Sequence, residues 1–153
     1  MIKDLNTKDC LKLLRKNYIG RLAYIMGESP YVIPITYYYY DATDNSIISY
    51  SLEGHKIDAM RKKQMVSLEV DEIETVSRWK SVLVHGDFEE LSGIDAKNLL
   101  RQFSRGVKDI INQEPDKDVK FINEFSSKLD AEGASPVVYR IKIREITGKV
   151  RED

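Results

Sequence analysis

Apolar residues recur at helical spacing in four stretches of the chain. Residues 7–17 place Leu11 and Leu14 three positions apart, which predicts a short amphipathic helix. A second short helix is predicted over residues 55–63 and a weaker one over residues 119–129. The longest candidate, residues 94–112, carries Leu99, Leu100, Phe103, Val107 and Ile110.

Between these helices the chain alternates apolar and polar residues, or is rich in β-branched and aromatic ones, as in strands. Six strands are predicted, at residues 21–26, 31–40, 46–51, 65–71, 79–91 and 137–144. Residues 73–78 are predicted to form a polar loop. Short turns join the first strands as hairpins, so the pairing should be mainly antiparallel. The pattern therefore predicts a mainly β (α+β) fold, a six-stranded closed or nearly closed barrel with helices outside.

Size and composition fit one domain over residues 1–153. Hydrophobic residues make up 42% and charged residues 32%, and the net charge is −1, so neither a nucleic acid nor a membrane is an expected partner. No signal-like segment and no membrane-length apolar run is present. With one cysteine, Cys10, an internal disulfide framework is excluded, and a cytoplasmic location is expected.

Several common catalytic patterns are missing. The sequence has no Gly-x-Gly-x-x-Gly, no Walker-type phosphate loop and no Gly-x-Ser-x-Gly elbow. Two histidines and one cysteine at scattered positions form no metal-ligand pattern, so no metal is predicted.

The most informative segment is residues 51–56, which joins a strand to a helix. Free N–H groups at a helix start favour an anion, whereas Lys56 in the first turn opposes the helix dipole. A phosphate between them would resolve that conflict. The alternative is a solvated Lys56 with His55 as a capping or surface residue.

Aromatic residues offer a second candidate site. Four consecutive tyrosines, Tyr37 to Tyr40, would point alternately to the two faces of a strand. They either pack at a core and a subunit interface, or one of them lines a flat aromatic ligand. Trp79 is likewise either a core anchor or a lid on a ring.

An ordered set of short motifs carries a family resemblance over residues 10–91 and the last strand. The motifs are Gly20-Arg21-Leu22-Ala23, Pro30-Tyr31-Val32-Ile33-Pro34-Ile35-Thr36-Tyr37, Tyr50-Ser51-x-x-Gly54-His55-Lys56-x-x-x-Met60-Arg61, Val66-x-Leu68-Glu69-Val70-Asp71, Trp79-Lys80-Ser81-Val82-x-Val84-x-Gly86 and Ile146-Thr147-Gly148-Lys149. Together they resemble the pyridoxamine-5′-phosphate-oxidase-like FMN-binding split barrels, most closely the nitroimidazole-resistance-type branch.

The resemblance implies a split barrel that forms a homodimer with FMN sites between subunits. The residues that it assigns to FMN are Ile33, Pro34, Ile35, Thr36, Tyr50, Ser51, His55, Lys56, Lys80, Ser81 and Val82. Lys56 would bind the phosphate. The chain departs from pyridoxamine phosphate oxidases at Tyr31, Thr36 and Ser81, where those enzymes carry arginine, lysine and glutamine, so that oxidase activity is not predicted.

Three functions follow as hypotheses. The first is an FMN-dependent reductase of a small, flat, nitroaromatic-like substrate, with a nicotinamide nucleotide as one candidate donor. The second is a non-catalytic module that holds FMN, haem, a deazaflavin or another small ligand. The third is a barrel that only dimerises or binds a partner. No catalytic residue is assigned, and His55 and Tyr37 are the candidates to test.

Overall fold

A computed structural model describes residues 1–42, 45–113 and 136–153. Within them lie eight strands and three helices: β1 (Ile2–Asp4), α1 (Thr7–Lys16), β2 (Ile19–Met26), β3 (Ser29–Thr36), β4 (Tyr38–Tyr40), β5 (Ser46–Ser51), α2 (His55–Lys62), β6 (Met65–Thr75), β7 (Arg78–Glu90), α3 (Gly93–Asn112) and β8 (Val137–Glu152). The predicted helix over residues 119–129 lies outside the described residues.

All eight strands join one antiparallel sheet in the order β3-β2-β6-β7-β8-β5-β4, with β1 on β8. The mainly antiparallel split-barrel fold is confirmed, with eight strands instead of six. The predicted strand over residues 31–40 is two strands, β3 and β4, which break at Tyr37. β1 was not predicted, because three residues are too few to establish an alternation.

The sheet curls without closing, and its two edge strands are consecutive in the chain. Tyr37 bridges the gap between β3 and β4. Its N–H donates to the Tyr18 carbonyl at 2.8 Å, and its hydroxyl donates to the Leu14 carbonyl at 2.9 Å. The Ser49 hydroxyl, on β5, donates to the Thr36 carbonyl at 2.7 Å. The two ends of the sheet are therefore held together at a seam, which is defined here as Thr36, Tyr37 and Tyr38.

The strands bury their inward residues in one main core, as the alternation predicts. Val82, Val84 and Phe88 of β7 lie inside, while Trp79 and Leu83 face outward. One end of the core is covered by α1, whose buried residues are Cys10, Leu13 and Leu14. Asn6 caps this helix, and its side chain accepts a hydrogen bond from the Asp9 N–H at 2.8 Å.

A second apolar cluster lies on the other side of β4 and β5, under α3. Helix α3 contributes Leu99, Phe103, Val107 and Ile111. The tyrosine run divides between the clusters, as two-sided packing requires: Tyr37 and Tyr39 belong to the main core, and Tyr38 and Tyr40 pack against the second. The tyrosines that point away from the main core, Tyr38 and Tyr40, are thus covered by α3 of the same chain.

The predicted polar loop over residues 73–78 is wrong. β6 continues to Thr75, and β7 starts at Arg78, so only a tight turn separates the strands. Ile73 pairs directly with Trp79. Polar side chains do not prevent this pairing, because the ladder is made by backbone groups and both faces of the hairpin tip are solvated.

Gly86 marks a place where β7 and β8 approach too closely for a side chain. A Cβ at this position would overlap the carbonyl oxygen of Lys142. Gly86→Ala is therefore expected to lower the free energy of unfolding by about 1–3 kcal/mol. Gly106→Ala should lower the free energy of unfolding by a smaller amount. Its Cβ would meet the Tyr38 ring, and a side chain can shift more easily than the backbone can. Urea denaturation of both variants checks this order, and equal losses would contradict it.

Candidate functional site

The segment Ile33, Pro34, Ile35 and Thr36 ends the edge strand β3. Ile35 is buried in the core and Ile33 packs partly against it, while Pro34 is exposed on the opposite face. β3 pairs only with β2 among the described strands. Its other edge therefore presents backbone N–H and C=O groups without a strand partner, which a ligand with donors and acceptors along its rim could use.

At the start of α2, Lys56 is a half-buried cation. Burial lowers the pKa of its ammonium group. No carboxylate of the described residues lies within ion-pair distance of it, whereas Arg61 of the same helix pairs with Glu53 and Glu90. The preceding Gly54 supplies no side-chain cap, so the first N–H groups of α2 are also open to an anion.

Next to Lys56 in the sequence, His55 forms a cluster with two tyrosines that no sequence motif indicates. The Tyr24 and Tyr31 rings are stacked with centroids 5.5 Å apart, and the His55 ring meets Tyr31 edge-on at 4.7 Å. His55 Nδ1 lies 2.9 Å from the Tyr24 hydroxyl, within hydrogen-bonding distance. We call Tyr24, Tyr31 and His55 the aromatic cluster. Part of this cluster could have been predicted from the turn at Gly27. The turn pairs Met26 with Ser29, and the same register pairs Tyr24 with Tyr31.

Tyr50 and Ser51 are the last two residues of β5. The Tyr50 ring packs against Phe103 of α3, with centroids 5.4 Å apart, and belongs to the second cluster. The Ser51 hydroxyl donates to the Leu52 carbonyl at 2.9 Å. By strand alternation Ser51 shares a face with Ser49, whose hydroxyl contacts the Thr36 carbonyl at the end of β3.

Lys80, Ser81 and Val82 lie elsewhere on the sheet. β7 is three strands from β3, which is about 14 Å at the usual strand spacing. Val82 is buried in the core, and Lys80 is exposed in a polar groove beside Trp79. The chain thus holds its predicted ligand residues in two groups, one around β3 and α2 and the other on β7.

Between these groups runs the outward face of the sheet, which we call the outer face. Its centre is charged: Arg21 pairs with Asp71 at 3.1 Å and with Glu69 at 3.6 Å, and the Ser81 hydroxyl donates to Glu69 at 2.7 Å. Burial and the neighbouring Asp71 raise the pKa of Glu69. Around this centre lie exposed apolar side chains: Ile19, Val32, Ile73 and Leu83.

Tyr37 and His55, the two candidates for catalysis, differ in solvent exposure. Tyr37 is fully buried with its hydroxyl engaged, and burial raises its pKa, so it presents no reactive group to a ligand. His55 is exposed and lies beside Lys56. Among the described residues no group of His, Cys, Asp and Glu is arranged to hold a metal ion, and no helix is long and apolar enough to cross a membrane.

Comparison with known proteins places this geometry in a family. Residues 6–150 match the family described as pyridoxamine 5′-phosphate oxidase. The chain belongs to this family. It is also 33% identical over 90 residues to an uncharacterised protein of Rhizobium meliloti, a match covering 59% of this chain and 58% of that protein.

Two solved structures extend the comparison to the whole fold. A FAD-binding protein of Mesorhizobium loti is 30% identical, with a TM-score of 0.76 over 100% of this chain and 98% of that one. A Bacteroides thetaiotaomicron protein proposed to confer 5-nitroimidazole antibiotic resistance has a TM-score of 0.69 at 14% identity, over 98% and 89% of the two chains. The second likeness shows the fold alone. The first, at 30% identity over the whole chain, is similar in sequence as well as in fold.

Proposed function

We propose that this protein binds a flavin, FMN, between two copies of the chain and acts as a cytoplasmic oxidoreductase on a small, flat substrate. The observation that carries the proposal is the Lys56 ammonium, which has no ion-pair partner among the described residues and stands at a helix start without a side-chain cap. Partial burial of a cation without a counter-ion is unfavourable, and a ligand phosphate would supply the opposite charge. The FAD-binding protein of Mesorhizobium loti supports a flavin as the ligand.

The chain's residues fit the two ends of a flavin mononucleotide. The phosphate would lie against Lys56 and the first N–H groups of α2, with His55 beside it. The ring would lie along the open edge of β3 at Ile33–Thr36, where Pro34 offers a backbone carbonyl but no N–H. Ser51, at the end of β5, would lie between the two.

The second group of predicted ligand residues supports a homodimer. Lys80 and Ser81 are too far along the sheet to meet a ligand at β3 of the same chain. Ser81, which shares the outward side of β7 with Trp79 and Leu83, would reach it from a second copy packed against the outer face. Exposed apolar residues, such as Val32 and Leu83, are the side chains that such an interface would bury.

A bound flavin supplies hydride or single-electron transfer, which no side chain of this protein provides. The chain would position the ring, hold its phosphate and exclude water through the dimer. Nitroaromatic compounds are the substrate class that we propose, with a nicotinamide nucleotide as the donor. The fold shared with the Bacteroides thetaiotaomicron protein is compatible with this class.

A non-catalytic ligand-binding module is the second candidate. It is favoured by how few reactive groups the described residues offer: Tyr37 is buried, and the His55 ring lies within hydrogen-bonding distance of the Tyr24 hydroxyl. Mixing the flavin-loaded protein with NADH or NADPH distinguishes an oxidoreductase from a ligand-binding module. Bleaching of the flavin absorbance supports the oxidoreductase, and an unchanged spectrum supports the module.

The first test is the visible absorption spectrum of the purified protein, before and after FMN is added and the excess removed. Flavin bands near about 370 and 450 nm should remain with the protein at one flavin per chain. A colourless protein that retains no flavin would contradict the proposal. A haem-like band would point to haem as the ligand instead.

A further inference from the structure

Arg61 joins three parts of the chain: the last turn of α2, the segment that leads into α2, and the end of β7. Its guanidinium donates to both carboxylate oxygens of Glu53, each at 2.8 Å. It also donates to both carboxylate oxygens of Glu90, at 2.7 and 3.0 Å. Bidentate contacts of this kind fix the orientation of a carboxylate as well as its position. The Glu53 side chain is therefore held toward the far end of α2.

Glu53 is also the carboxylate best placed in the sequence to compete for Lys56. It precedes Lys56 by three residues, and a negative charge is favoured both at a helix start and beside a cation. Asp58, the only carboxylate within α2, is two positions from Lys56, and residues two apart do not face each other on a helix. With Glu53 held by Arg61, the Lys56 ammonium has no ion-pair partner among the described residues.

We propose that Arg61 is a positioning residue that holds Glu53 away from Lys56 and so keeps the start of α2 available to the flavin phosphate. The inference rests on the proposed function, since it concerns the same phosphate site. Without Arg61, Glu53 would pair with Lys56, and a carboxylate of the protein would take the place of the ligand phosphate. Arginine suits this role because its planar fork pairs with a carboxylate bidentately, whereas a lysine acts as a point charge.

The contrasting role is a surface ion-pair network that only ties α2 to the end of β7. All three side chains are partly exposed, and such pairs contribute little to stability. Both roles allow a small loss of thermal stability in Arg61→Gln. They differ in the effect of a second substitution: removing the Glu53 carboxylate cannot restore a lost link between α2 and β7, but it does remove the competitor for Lys56.

The test is a fluorescence titration of FMN into the full-length protein and three variants. Arg61→Gln should weaken FMN binding by about fivefold or more, because only molecules with an unpaired Lys56 would bind the phosphate. Adding Glu53→Gln to Arg61→Gln should restore the affinity to within about twofold of wild type. The matched control adds Glu90→Gln to Arg61→Gln. It has the same net charge but removes a carboxylate fixed in the β7–β8 ladder, so its affinity should stay as low as that of Arg61→Gln.

A second measurement needs no flavin: an NMR titration of the Lys56 side chain, whose signal is identified by its loss in Lys56→Met. Arg61→Gln should raise the pKa of Lys56 by about 0.5, and the added Glu53→Gln should reverse this rise. An unchanged Lys56 pKa in Arg61→Gln, or equal FMN affinities of the two double variants, would overturn the inference but not the proposed function. Failure of the wild type to bind FMN would overturn the proposed function, and the NMR titration would still decide whether Arg61 holds Glu53 away from Lys56.

Discussion

Lys56→Met is expected to weaken flavin binding by about 10- to 150-fold, the value of one hydrogen bond to a charged group. Methionine keeps the apolar stem of the half-buried side chain and removes only the charge. Because Lys56 has no ion-pair partner in the described residues, the flavin-free protein should keep its melting temperature. Fluorescence titration of FMN and a thermal melt of the flavin-free protein check both parts.

The matched control is Lys62→Met, at the exposed end of the same helix. It removes one positive charge from α2 without touching its first turn, and should change flavin affinity by less than about twofold. Binding should also decline at alkaline pH, since burial lowers the pKa of Lys56 and the ammonium loses its proton earlier than an ordinary lysine. Equal effects of the two substitutions would show that only the net charge of the helix matters.

Leu83→Asp is expected to weaken self-association by about 100-fold or more and to release the flavin with it. Leu83 is exposed on the outer face, directly opposite Glu69, which already lies near Asp71. A third carboxylate there remains solvated in a single chain but would be desolvated in both copies of a dimer. Light scattering after gel filtration gives the mass, and the absorbance at the flavin band gives the bound cofactor.

The same substitution on α3 provides the comparison. Ile94 is 82% exposed in the first turn of that helix, where an acidic residue is favourable. Ile94→Asp should therefore leave both the mass and the flavin content unchanged. If Leu83→Asp also remained a flavin-loaded dimer, the outer face would not be the interface.

Much of the fold followed from local patterns. The alternation in β7 and the apolar spacing in α3 each report on residues a few positions apart, and both elements were predicted to within two residues of their bounds. What failed depends on distant contacts. β1 exists because Ile2 pairs with Arg151 at the far end of the chain, and Tyr37 ends β3 by anchoring to α1. Neither contact can be predicted from the residues that lie next to it in the sequence.

The candidate site can be predicted only in part from the sequence, for the same reason. Lys56 was identified because a cation at a helix start is a local conflict. The contact between Tyr24 and His55 joins residues 31 positions apart, on a strand and a helix, and no spacing rule predicts it. The separation of Lys80 from β3 depends on strand order, which the sequence pattern left open.

The seam has a consequence for how a bound molecule would leave. A single residue, Tyr37, links the two edge strands, and its ring is locked in the core, so β3 cannot swing outward as a flap without extracting that ring. For a flavin enclosed between two chains, departure would then require the chains to part. The residence time of the cofactor would be governed by the lifetime of the dimer.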